Sequence, residues 1–544
     1  MYIPINCLTH GSPLLSQTTP KEMGTFCKEN NLPSIGLTDY NLFMCVQYYE
    51  EMVKNDLKPM LGIKLKIFGG EEESYATILC KNKAGWRDLL KLVYEANNPS
   101  NYKDGARLEI FKFIQSVTDN LIIIVEDFLD IYEKLLPTAY YGLNLVENTR
   151  KSTSLKVVAT PPNHYLKSTD WLHNKYLKCN YYKVSMKGAT EQIFKDNRFF
   201  IPSESQLLEW GYSQQEISET ALIYEMIEHY DILYKQELPH FECLDGFSED
   251  EYLRELCRRG YKNKKVKGQE YVDRIKHELD VIKSAGMSGY FLIMQDIVNW
   301  AKSNGILCGV GRGSAAGCLI SYLVGITNVD PIKYNLLFER FYSAERKGCP
   351  DIDMDFPPSR REDIIQYVQS KYGVDKFAQL STFTTLKGPA AIKAVLRARD
   401  VEANEQNYIT KKMPPEGKIA PFLQKQYNEK GTKSMVLWCI NHIDEFTQWC
   451  SPTYEGMYGA EFKAAIELDQ VIMGRGRHAS AYALANEPIY NKAPLIWDES
   501  ADRYVVGVNM DDAEKLGLVK LDLLGIDLLD KADLIRKVVK NGAF

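Results

Sequence analysis

The chain has 544 residues, 45% of them hydrophobic and 25% charged, which is the composition of a folded globular protein of several domains rather than a disordered or fibrous one. Sixty-six basic against 72 acidic residues give a net charge of −6, so no global basic field advertises nucleic acid, and any such site must be a local stripe or one bridged by cations. The 12 cysteines are scattered without a CxxC pair, and no apolar run approaches the length of a membrane span; a soluble protein of a reducing cytosol is expected.

Residues 1–125 alternate short apolar strands (PSIGLTD, KPMLGIKLKIF, YATILC, NLIIIVED) with helical stretches such as TPKEMGTFCKENN. That alternation predicts a layered or barrel-like α/β domain continuing to about residue 240. QELPHFECLDGFSED then reads as a linker and Ser248 opens a helical stretch reaching about residue 301. Residues 306–400 return to α/β character. Residues 401–475 read as mostly helical, and the chain closes on a strand, GLVKLDLL, and a helix, LLDKADLIRKVVK.

Three motifs in this plan can carry chemistry. In GVGRGSAAGCLISYLVGI (309–326), Gly309, Gly311 and Gly313 lead to Ser314, an expected N-cap for an apolar helix closed by Gly325. Glycines admit a ligand close to the backbone and a helix start offers free N–H groups, which suits a triphosphate; alone, the motif also reads as a tight turn before a buried helix. No GK[ST] follows, so it is not a Walker A loop. In PDIDMDF (350–356) a strand places Asp351, Asp353 and Asp355 on one face, where they repel unless a proton or cation intervenes. An oxygen-rich cluster of this kind suits Mg²⁺, although an edge strand with solvated acids is the plainer account. In GLVKLDLLGI (517–526), Lys520 and Asp522 share a face within an apolar strand; Asp522 either pairs with Lys520 or joins the aspartates as a further ligand.

The remaining signals are basic. Arg258, Arg259, Lys262, Lys264, Lys265 and Lys267 read as a solvated face. Lys393 and Arg397 stack at i, i+4 in GPAAIKAVLRA, and RGRH supplies Arg475, Arg477 and His478; these are phosphate contacts or surface charge.

Taken in order, GYFLIMQDIVNWAKSNGI, GVGRGSAAGCLISYLVGITNVDPIKYNLLFERFYSAERKGCPDIDMDF and VKLDLLG resemble the C family of bacterial replicative DNA polymerases, the family of the DNA polymerase III alpha subunit. The N-terminal IGLTDYNLF, KPMLGIKLKI and LCKNKAGWRDLLKLV resemble its polymerase-and-histidinol-phosphatase (PHP) domain. The resemblance implies a multidomain α/β chain: a PHP-like barrel over 1–240, a nucleotidyltransferase-type palm over 241–400 and 476–544, and an inserted, mostly helical thumb over 401–475. It implies Asp351, Asp353 and Asp522 as catalytic carboxylates holding two Mg²⁺ ions, with Gly313, Ser314, Lys520, Lys393 and Arg397 toward the nucleotide and Asp355 as support. Arg475, Arg477 and His478 are the expected DNA contacts. Primer–template DNA and deoxynucleoside triphosphates are the implied substrates, in the cytoplasm of a bacterium or of a bacterial host cell.

Two departures from the family pattern bear on these expectations. The family's HxH falls near Cys7–Thr9, its Thr-Asp-His reads Thr38, Asp39, Tyr40, and a Gly-x-acid reads Gly62, Ile63, Lys64, so only Asp39 is kept, with His10 displaced. A metal-dependent phosphoesterase is therefore not expected here. The sequence also ends 22 residues after Asp522; the expectation is that fingers and a clamp-binding region come from a separate C-terminal fragment, without which the chain does not extend primers processively. A catalytically silent DNA-binding or scaffold module is the alternative.

Overall fold

The computed structural model describes residues 1–189, 197–243, 246–343, 350–430, 434–451 and 453–540; positions 344–349 of the long central motif lie outside them. It contains two compact units, one formed by Met1–Ile232 with Thr382–Gly476 and the other by Leu233–Ser381 with Arg477–Phe544. Among the described residues no helix is long and apolar enough to cross a membrane.

The first unit is built on strands β1 (Gly36–Leu37), β2 (Met60–Gly69), β3 (Glu72–Cys80), β4 (Arg107–Glu109), β5 (Leu121–Val125), β6 (Tyr140–Leu143) and β7 (Lys156–Ala159). They form one seven-stranded sheet in the order β1-β2-β3-β5-β6-β7, with β4 pairing β2. β1, β2, β3 and β5 lie where the apolar runs predict them, while β4, β6 and β7 were not singled out, and helix Pro20–Glu29 begins at a Thr19/Glu22 capping box. Residues 382–400, expected to group with 241–381, belong to this unit. Helix Gly388–Ala398 buries Ile392, Val395 and Leu396 in one core with Tyr176 and Leu177 and with Phe462 and Leu468. Its apolar stripe, read from the sequence only as a carrier of Lys393 and Arg397, is what fixes its place.

The second unit carries β8 (Asp353–Phe356), β9 (Phe377–Thr385), β10 (Ile472–Leu484), β11 (Leu495–Asp498), β12 (Arg503–Val506) and β13 (Val519–Gly525) in a six-stranded sheet of order β11-β12-β9-β10-β13-β8. β13 pairs antiparallel with β10 and parallel with β8. Strand alternation divides its residues cleanly. Met354, Phe356, Tyr482, Leu484, Leu521 and Leu523 enter a core shared with helices Ser288–Ser303 and Arg361–Tyr372, which leaves the intervening residues for the other face.

Candidate functional site

That other face carries the acids. In the β8–β13 register Asp522 stands beside Asp353 and Leu524 beside Asp355, while on the β10 side Ala481 partners Asp522 and Ala483 partners Lys520. Cross-strand partners point to the same face, so three carboxylates and one ammonium share a patch with two methyl groups beside it. The alternation in AYALA, small residues on one face and Tyr482 and Leu484 on the other, is the signal that sequence reading left unused.

Two cations hold the acids. Lys520 Nζ lies 3.0 Å from Asp522 Oδ2 and 3.6 Å from Asp351 Oδ1, so it joins a strand acid to the one just before β8. Arg312 Nη2 lies 3.4 Å from Asp353 Oδ1, and its Nε lies 3.4 Å from Asp355 Oδ1. Burial foremost pushes the Asp522 carboxyl up, with Asp351 and Asp353 adding repulsion and Lys520 opposing. Asp355 is likewise pushed up by burial and by Asp353, against the pull of Arg312. For Lys520, burial works against the charge, but the bond to Asp522 and the acids around it prevail and raise it. Glu514, on helix Met510–Lys515, is a further carboxylate raised by burial, with Asp351 and Asp522 contributing and Lys520 opposing. Sequence reading placed neither Arg312 nor Glu514 at the site; Arg312 was within reach, as the cation of the glycine loop itself.

The glycine loop lies against the acid strand. Gly309 N donates to the Asp355 carbonyl at 2.9 Å, and a Cβ on Gly309 would come within 2.7 Å of Asp355 Cβ. Gly313 has φ 61° and ψ −152°, a glycine-only conformation, and a Cβ there would sit 3.4 Å from Asp353 Oδ2. The expected Ser314 cap is different in detail. Ser314–Gly317 is a 3₁₀ turn, and the α-helix starts later, at Leu319–Leu323, where Cys318 Sγ accepts from Ser321 N. The strained Gly313 turns the chain too tightly for Ser314 to lead directly into an α-helix. Gly325 does close that helix, at φ 87°.

The other expected contacts are dispersed. Arg477 and His478 belong to the same unit as the acids, with Arg477 Nε 3.8 Å from Asp498 Oδ2 and His478 Nδ1 accepting from Ala481 N at 2.9 Å. Arg475, Lys393 and Arg397 belong to the other unit, where Lys393 Nζ donates to Asn407 Oδ1 at 2.7 Å and Arg397 is exposed. The basic run from Arg258 is a solvated helix face, its first two arginines lying on Glu255 at 2.7 and 2.9 Å.

In the N-terminal unit, of the residues that the PHP resemblance singles out, Asp39 and Lys64 are engaged by protein groups, while neither ring nitrogen of His10 has a hydrogen-bond partner among the described residues. Asp39 is fully buried and accepts from Thr9 N at 2.7 Å, from Ser12 Oγ at 2.6 Å and from the Thr9 hydroxyl. Burial nevertheless pushes it up to about 7. Lys64 is buried and pairs with Glu126 at 2.6 Å, placing an ammonium where the pattern has an acid. His10 is pulled down to about 4 by burial, so it stays neutral.

The acid patch has the donor chemistry for a hard divalent cation: carboxylate oxygens crowded enough that burial and mutual repulsion raise Asp522, Asp355 and Glu514. Among the described residues no three candidate ligands converge on a ready-made metal position. The aspartates rest on Arg312 and Lys520 instead.

Comparison with known proteins gives the family. The family model described as "Bacterial DNA polymerase III alpha NTPase domain" matches residues 251–525, which contain the glycine loop and every acid of the patch, and the model described as "PHP domain" matches residues 7–136. The chain belongs to the bacterial DNA polymerase III alpha family. Among curated relatives named DNA polymerase III subunit alpha, that of Aquifex aeolicus is 27% identical over 94% of this chain and 50% of its own length. That of Borreliella burgdorferi is 30% identical over 94% and 47%, and that of Bacillus subtilis 28% identical over 93% and 47%. The chain spans about half the length of the curated relatives it matches.

Proposed function

We propose that this chain supplies the metal and nucleotide site of a replicative DNA polymerase, transferring deoxynucleotides to a primer 3′-hydroxyl. The observation that carries the reading is the Asp353–Asp522 pairing on adjacent strands, with Lys520 bridging Asp522 to Asp351. In this reading the acid-bearing sheet is a palm and 401–475 a thumb. Asp351, Asp353 and Asp522 would hold two Mg²⁺ ions, which when bound supply Lewis-acid stabilisation of the attacking and leaving oxygens of an in-line displacement.

The chain's own groups position the reactants. Gly313 and Ser314 bring backbone N–H groups and a hydroxyl to the triphosphate at the edge of the acid patch. Lys520 and Arg312, neutralising acids in the metal-free protein, are released to phosphate oxygens once the acids take cations. Asp355 fixes the loop through its carbonyl bond to Gly309. Lys393 and Arg397 are further candidates for phosphate contact, and Arg475, Arg477 and His478 for the DNA backbone, where each contact weakens with salt. A silent scaffold module is disfavoured, because aspartates gathered on one partly buried patch repel one another without serving any purpose in a protein that never binds a divalent cation there.

The test is calorimetric binding of a deoxynucleoside triphosphate to the full chain. Binding should require Mg²⁺ and be lost in both Asp353→Asn and Asp522→Asn. Equal affinity in EDTA, or in those variants, contradicts the reading.

A further inference from the structure

Sheet and helices of the second unit line an open cleft of about 450 Å³ that the acid patch does not use. It is lined by Arg361, Arg477, Arg503, His478, Gln379 and Tyr482. Tyr482 partners Leu521 and joins the apolar core, so its ring lies on the opposite face of the sheet from Asp522, stacked on Phe377 at 5.0 Å. Arg361, at the start of helix Arg361–Tyr372, donates Nη2 to Tyr482 Oη at 3.1 Å, while its buried Nε has no hydrogen-bond partner among the described residues. Arg503 Nη2 pairs with Glu362 at 2.8 Å, and Arg477 Nε approaches Asp498 Oδ2 at 3.8 Å. Gln379 donates to the His478 carbonyl at 2.6 Å, fixing the strand that carries His478.

We propose that this cleft is a phosphate-binding site separate from the acid patch. Three guanidiniums converge on one polar hollow where the lining supplies a single carboxylate, Glu362, already engaged by Arg503. A buried guanidinium N–H without an acceptor is costly, and a tetrahedral oxyanion satisfies it with the fork geometry arginine is built for. Arg361 is anchored through Tyr482, so its fork is held in place before the ligand arrives. The proposal rests on the reading of Arg477 and His478 as phosphate contacts and extends it from a surface stripe to an open cleft that also holds Arg361 and Arg503. The phosphate comes either from a free polyphosphate or from the backbone of a nucleic-acid strand.

Arginine labelling of the full chain with phenylglyoxal, mapped by mass spectrometry, separates these cases without altering the protein. Inorganic pyrophosphate and an oligothymidylate lacking terminal phosphate are the two probes, with acetate at matched ionic strength as control. Labelling of Arg361 and Arg503 should fall at least fivefold with one probe and not with acetate. Protection by pyrophosphate assigns a free polyphosphate, and protection by the oligonucleotide assigns a strand. Protection by neither, or of Arg477 alone, overturns the cleft site; the latter result leaves the Arg477 contact standing. Binding of the protecting probe, followed calorimetrically, should weaken at least tenfold in Arg361→Ala and less in Arg361→Lys. It should persist in Asp353→Asn, which separates this site from the acid patch.

Discussion

Replacing Lys520 with methionine separates the two roles given to that residue. Its ammonium lies 3.0 Å from Asp522, where one unit charge attracts the other by about 5 kcal/mol at an effective dielectric near 20. Desolvation of both groups offsets most of that, so about 1–2 kcal/mol is what a metal ion must overcome to displace Lys520. Lys520→Met should therefore bind Mn²⁺ roughly tenfold more tightly than the parent chain, since ~1.4 kcal/mol is one decade. The same variant should bind a deoxynucleoside triphosphate more weakly, having lost a phosphate contact. Calorimetry should be run near pH 8, because Asp522 is pushed up by burial and rises further without Lys520 beside it. Unchanged or weaker Mn²⁺ affinity in a folded Lys520→Met chain would refute the competition.

Thermal unfolding gives a second view: at a Mg²⁺ concentration ten times its dissociation constant, binding stabilises by about 1.4 kcal/mol. For a unit of roughly 200 residues that is a rise of ~3–6 °C in Tm, absent in a chain carrying both Asp353→Asn and Asp522→Asn. Gly309→Ala forces a methyl group against Asp355 and should cost about 1–3 kcal/mol in denaturant unfolding, with weaker nucleotide binding. Lys64→Met leaves the partly buried Glu126 without its cation and should cost about 2–4 kcal/mol, much of it recovered on adding Glu126→Leu. Asp39 is raised in the fold to about 7, so it binds a proton the unfolded chain has lost, and its contribution to stability falls as pH rises from about 4 to about 7. His10, lowered to about 4, acts with the opposite sign over the same interval, losing stability as pH falls. Asp39→Asn should therefore unmask a steeper acid destabilisation, read from urea midpoints between pH 4 and 7; an unchanged pH profile contradicts the assignment.

The acids and the glycine loop were legible because their chemistry is local. A period of two puts Asp353 and Asp355 on one face, and Lys520 and Asp522 on another strand's face, without knowledge of the fold. What sequence spacing cannot supply is the register that sets Asp522 beside Asp353, because β8 and β13 are far apart in the chain and their parallel pairing is decided by the shared apolar core beneath. The role of Asp522 was open between pairing with Lys520 and joining the aspartates for the same reason; in the fold Lys520 bridges Asp522 and Asp351. Arg312 was hidden by its neighbours, since a cation between two glycines reads as loop polarity until the loop is laid on the acids. Ser314 misled because serine before an apolar run signals an N-cap, whereas the conformation of Gly313 imposes a 3₁₀ turn first. The grouping of 382–400 with the N-terminal segment came from tertiary packing of helix Gly388–Ala398, which its own stripe announces without naming the partner.

The central claim, that these aspartates hold catalytic metal, is tested most directly by anomalous diffraction from crystals of the chain grown with Mn²⁺ and a deoxynucleoside triphosphate. The account predicts a manganese peak shared by Asp353 and Asp522 at coordination distance, with Lys520 moved off Asp522 toward the phosphates. Ordered nucleotide with no metal at those two carboxylates, and Lys520 still on Asp522, would contradict it.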